Sequence, residues 1–137
     1  MEYTKTTWNL DAGPPINDTN LNNIENGIET IDNKFSWSEI TADPAPATKS
    51  RGYFCDTSGG AFTLTLPDSS GLLTGDFVSV ADLTGSFGSN NLTIAVGSGD
   101  VLMGVVDDTL DLVTNYDFVT LTWSGNATYG WIITSKP

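Results

Sequence analysis

From Arg51 onward the chain is a succession of short segments in which apolar and polar residues alternate, with turn-forming residues between them, and this pattern restricts it to an all-β fold. The candidate strands are 52–56, 61–66, 76–82, 91–96, 101–103, 109–112, 118–123 and 130–134. Successive side chains on a strand point to opposite faces. Phe62, Leu64 and Leu66 therefore share a face, as do Leu92, Ile94 and Val96, then Val119, Leu121 and Trp123, and finally Trp131 with Ile133. Together they supply one core. The stretches 56–60, 67–71 and 124–127 are rich in Asp, Ser, Asn and Gly, residues that accept tight or positive-φ geometry. Many short strands with frequent turns predict an antiparallel β-sandwich or jelly-roll-like domain over 51–137, with the strand order left open.

Upstream the periodicity changes. Leu21, Ile24, Ile28, Ile31 and Phe35 recur at spacings of three, four, three and four, which is the a/d seam of a coiled coil. A helix is expected over 16–35, with Asn17 as N-cap, Ile16 and Leu21 as its hydrophobic staple, and Asp18 at the positive end of the helix dipole. The residues between the seam positions are polar, so the apolar stripe is narrow, as suits a coiled-coil seam. Isoleucine at both a and d favours trimers or tetramers over dimers, and a homotrimer is expected. Gly27 weakens the helix by about 1 kcal/mol relative to Ala, so contacts between β domains should contribute to the trimer. The competing reading is a lone amphipathic helix packed on its own domain.

Residues 1–15 read as an irregular arm, stopped by Gly13-Pro14-Pro15. The arm is either a tail without structure of its own or a docking peptide anchored by Tyr3 and Trp8. Residues 36–50 are expected as a connector: 36–40 alternates like a short strand, and the Pro/Ala-rich stretch after it cannot pair in the middle of a sheet.

Composition narrows the chemistry. With 17 Asp plus Glu against 5 Lys plus Arg the net charge is −12, which disfavours binding to nucleic-acid phosphates or to an anionic membrane surface. The chain has no histidine, and therefore lacks the commonest general base and zinc ligand. No serine stands in a Gly-x-Ser-x-Gly elbow and no Gly-x-x-x-x-Gly-Lys loop occurs, while Cys55, inside Tyr53-Phe54-Cys55, fits a buried inert thiol. Asp107, Asp108 and Asp111 form the densest acidic cluster but lack the spacing of a calcium loop. A carboxylate pair for glycoside hydrolysis is defined in space, so sequence leaves it open, although most acids fall in turns. The aromatics Trp123, Tyr129 and Trp131 invite a carbohydrate-binding reading, against which Trp123 and Trp131 are in phase with core residues; only Tyr129, in a hairpin turn, is expected at the surface, where it is the candidate glycan contact. No catalytic, metal or cofactor residue is assigned. No apolar run approaches the length of a membrane span, and the N-terminus lacks the apolar core of a secretory signal.

Two stretches resemble bacteriophage virion proteins. Tyr3-Thr4-Lys5-Thr6-Thr7-Trp8, followed by Pro15-Ile16-Asn17 and by 20–28, is similar to the N-terminal segment of phage fibre and appendage proteins. The stretch 52–131, with Gly60-Ala61-Phe62-Thr63-Leu64-Thr65-Leu66-Pro67, Gly75-Asp76-Phe77-Val78 and Gly130-Trp131-Ile132-Ile133, is similar to the small β domain of tail-fibre and capsid-fibre chains. The resemblance implies a non-enzymatic homotrimer on the virion surface. Tyr3, Lys5, Trp8, Pro14 and Pro15 would dock on the major capsid protein or another virion protein, and the β domain would face outward. The length fits a capsid decoration or head-fibre protein; a short tail fibre, an adaptor or a carbohydrate-binding adhesin is the alternative.

Overall fold

The structure is a computed structural model that describes residues 18–32 and 35–137, with side chains over 21–28 and 35–137. The arm expected over 1–15, the docking residues Tyr3, Lys5, Trp8, Pro14 and Pro15, and the Asn17 cap lie outside the described residues. The chain divides into two units, 1–33 and 34–137.

The first unit contains one helix, α1, over Asp18–Asp32. The second is mainly β and holds β1 (Ser36–Ile40), β2 (Arg51–Cys55), β3 (Phe62–Thr65), β4 (Phe77–Asp82), β5 (Leu92–Ala95), β6 (Val101–Leu102), β7 (Val105–Val106), β8 (Thr109–Leu112), β9 (Phe118–Trp123) and β10 (Trp131–Ser135). Every strand expected from alternation is present. They form a seven-stranded sheet in the order β1-β2-β4-β9-β10-β6-β7 and a three-stranded sheet in the order β3-β5-β8.

The antiparallel expectation holds for only part of this arrangement. β1 runs parallel to β2, β2 to β4, β3 to β5, and β6 to β10, while β4–β9, β9–β10, β5–β8 and β6–β7 are antiparallel. The cause is the path of the chain. β2 and β4 belong to the larger sheet and β3 and β5 to the smaller, so the chain crosses to the opposite sheet between neighbours and returns in the same direction. Alternation records which face a side chain occupies and carries no information on strand direction.

The segment expected as a connector takes part in this winding. Ser36–Ile40 pairs along its length with Arg51–Cys55. Between them the Ala47 N–H donates to the Thr65 carbonyl at 2.7 Å, on the free edge of β3, and Ala47 is buried. Asp43 fastens the same edge: its Oδ1 accepts from the N–H of Ala45 at 2.9 Å and of Thr65 at 3.2 Å, and its Oδ2 accepts from the Thr65 hydroxyl at 2.7 Å. Prolines are tolerated because this is a sheet edge, where a missing donor breaks no ladder.

The two sheets share one core. Tyr53, Cys55, Val78, Val80, Val119, Leu121, Trp123 and Trp131 from the larger sheet join Leu64, Leu92, Ile94 and Leu112 from the smaller, together with Leu66 and Phe87 from loops. The faces read from alternation are those observed. Phe62 aligns with Leu92 and Leu112, and Leu64 with Ile94 and Leu110. Trp131 aligns with Trp123 and with Leu102, and its ring lies 6.0 Å from that of Trp123 at 66°. Its indole Nε1 is buried and makes no hydrogen bond to any of the described residues. Gly130, at φ +65°, precedes it because a Cβ there would collide with the backbone of Val101.

Candidate functional site

The Cys55 thiol is fully buried, and burial, reinforced by the negative charge of Asp82, pushes its pKa up to about 12, which leaves it protonated and unreactive. The acidic cluster singled out from sequence is dispersed among separate tasks. Asp107 Oδ1 accepts from the Gly99 N–H at 2.6 Å, Asp108 Oδ1 from the Thr109 N–H at 2.9 Å, and Asp111 Oδ1 from the Thr93 hydroxyl at 2.6 Å. Among the described residues no group of three or more His, Cys, Asp or Glu side chains is arranged to hold a metal.

Asp82 is the most heavily bonded carboxylate described. Its Oδ1 accepts from the N–H groups of Thr84, Gly85 and Ser86 at 3.0–3.2 Å, and its Oδ2 from those of Phe87 and Tyr116 at 3.2 and 2.9 Å. Partial burial works to raise its pKa, but the backbone donors outweigh burial and hold it below the usual carboxylate range. The result is a joint between the loops after β4 and after β8. At the other end of the sheet Asp76 does similar work. Burial again opposes ionisation, and the Leu73 N–H and the Lys49 ammonium, both on Oδ2 at 2.8–2.9 Å, more than offset it. Both carboxylates organise the scaffold.

What the scaffold presents is apolar. On α1 the seam residues Leu21, Ile24 and Ile28 are exposed by 49, 48 and 61%. The helix ends at Asp32, before the last position of the expected seam, and Phe35 belongs to the β unit. There Phe35 lies edge-on to Trp37, with ring centroids 6.0 Å apart, and 5.8 Å from Phe77. Phe35 is exposed within this aromatic cluster.

That cluster occupies the outer face of the seven-stranded sheet, the face turned away from the core. Three cross-strand rows define it: Trp37–Gly52–Ser79–Thr120, then Glu39–Phe54–Ala81–Phe118, and Phe77–Thr122–Ile132. Trp37 lies across Gly52, whose missing side chain makes the space, and stacks on Phe54 at 4.5 Å and 25°. Trp37, Phe54 and Phe118 remain exposed by 37, 38 and 42%. The polar groups between them are satisfied, since the hydroxyls of Ser79 and Thr120 bond to one another at 2.9 Å. Sequence reading missed this face, although a signal was present: Phe54, Phe77 and Phe118 each fall on the phase opposite to the core residues of their strands, and strands apolar on both faces are strands covered on both faces.

A second exposed cluster lies at the β6–β7 hairpin. Met103 and Gly104, both at positive φ, make its two-residue turn, and Met103, Val105 and Val106 are exposed. Tyr129, expected at the surface, is 58% exposed, and its carbonyl accepts from the Gly104 N–H at 3.1 Å. Trp123 and Trp131 are buried in the core, as their phase predicted.

No protein-family model matches the chain, and no curated protein matches it. Among the described residues no helix is long and apolar enough to cross a membrane. Among the described residues the architecture is a mainly β unit of two sheets and, in the other unit, one short α-helix, and both carry exposed apolar side chains.

Proposed function

We propose that the chain is a non-enzymatic structural protein of a bacteriophage virion. In this reading it is a homotrimer that decorates the capsid or forms a short head fibre, held by the arm 1–15 to the major capsid protein or another virion protein, with the sandwich-like β unit projecting. The observation that carries the reading is the apolar seam of α1, where Leu21, Ile24 and Ile28 stand at heptad spacing and are exposed in the single chain. An exposed isoleucine stripe on a short helix asks for burial, and other copies of the same helix bury it symmetrically. The net charge of −12 fits an assembly partner better than a nucleic acid. Light scattering of the full chain should return the mass of three protomers, and immunogold electron microscopy should place the protein on intact particles. A monodisperse monomer, absent from particles, would overturn the proposal.

A second reading, a short tail-fibre, adaptor or adhesin that binds host glycans, is favoured by Tyr129 exposed beside the apolar hairpin. A glycan array probed with the full chain separates the two readings: binding lost on Tyr129→Ala supports the adhesin, and silence across bacterial surface glycans removes it.

A further inference from the structure

We infer that the outer face of the seven-stranded sheet, centred on Trp37, Phe54 and Phe118, is the surface on which a second copy of this chain docks. The inference rests on the homotrimer reading and names where the β units meet. Charge is the first argument. A chain carrying −12 repels its own copies, so a self-association surface must be one from which carboxylates are missing. In the three outer rows Glu39 is the sole carboxylate, and it stands on β1, the edge strand. The other exposed surfaces are acidic by comparison. Asp111 projects from the outside of the three-stranded sheet beside Thr93, and the apolar hairpin is followed directly by Asp107 and Asp108. The second argument is continuity. Two residues separate the end of α1 from Phe35, which leads the aromatic cluster, so copies joined along the helix seam hold this face at high local concentration near its counterpart. The third is composition: aromatic side chains around hydroxyls that already satisfy one another form a surface that desolvates at little polar cost.

The test compares the masses of full-length variants by sedimentation equilibrium. Phe54→Glu with Phe118→Glu places two new carboxylates on the face, and the mass should fall to that of one protomer while the β-sheet circular dichroism is kept. Val105→Glu with Val106→Glu, on the hairpin, should leave the mass at three protomers. If the double face variant does not fold, the milder Phe118→Ser should weaken association by about tenfold. A monomeric wild type would overturn the homotrimer reading itself. A trimeric wild type whose folded face variants stay trimeric would overturn this inference alone and assign the face to another occupant, such as the N-terminal arm or a virion protein. Hairpin variants that dissociate as readily as the face variants would also count against it, by reducing the effect to added charge.

Discussion

A carboxylate in an inward-facing row, next to a buried thiol, would ordinarily be expelled to water. Asp82 aligns with Cys55 in that position and is 8% exposed. Five backbone N–H groups from two loops replace its hydration, and each depends on the charge being present. Asp82→Asn keeps the shape, removes the charge and turns one acceptor oxygen into a donor, so it should cost about 2 kcal/mol at pH 7, measured by urea denaturation. The pH dependence follows from the direction of the shift. A carboxylate whose folded pKa is depressed contributes stability that is fully present above its unfolded value, about 3.9, and is lost as pH falls through the folded value. The gap between wild type and Asp82→Asn should therefore narrow below about pH 4, and a gap constant down to pH 2 would show that the carboxylate's ionisation is not what holds the loops.

Among the elements, α1 has little intrinsic helix stability. It has 15 residues, a glycine near its middle and no basic residue in its last turn. A Cβ at Gly27 would meet nothing within 4 Å, so Gly27→Ala should strengthen the helix by about 1 kcal/mol without a steric cost. The expected readout is a stronger helical circular dichroism signal and a higher melting temperature of the assembly; an unchanged melt would mean that the helix adds nothing to it. The strands were legible in the sequence because alternation follows directly from pleating, and the core faces of Leu64, Ile94, Val119 and Trp131 came with it. Strand direction was hidden, since parallel and antiparallel neighbours alternate alike. β1 was underrated because the prolines after it spoke for a connector, although its own alternation was that of a strand. The aromatic outer face is harder to read for a related reason: Phe54, Phe77 and Phe118 stand on three strands that are not consecutive in sequence, and only the strand order brings them onto one face. Asp82 was illegible altogether, because its donors come from loops separated by four strands of sequence, and only the fold brings the Tyr116 N–H to it.

For the whole molecule, the proposed self-association has to overcome a charge of −12 on every copy. Ions shorten the reach of that repulsion, to about 10 Å at 0.1 M, so association should tighten as salt is raised from about 20 to 200 mM, opposite to the behaviour of a complex held by ion pairs. Sedimentation at the two ionic strengths checks this, and weakening with salt would point to an attractive electrostatic interface instead. Ile24→Asp with Ile28→Asp should sharply weaken the proposed trimer, because carboxylates facing one another across its axis would be desolvated and repel. A mass still at three protomers would leave the β units alone responsible for holding the copies together.

The parallel pairing of β1 with β2 bears on how such a unit withstands being tugged. β1 is the first strand after the helix, and its five residues are in register with Arg51–Cys55 from end to end. A pull applied to the N-terminal side and directed along the strand loads all the rungs of that ladder at once, in shear, where a hairpin pulled at its open end yields rung by rung. In the proposed role on a virion, a particle that tumbles and collides would transmit such forces through this chain. Beginning the β unit with a parallel edge strand would let a load arriving from the N-terminal side be shared across five registered residues.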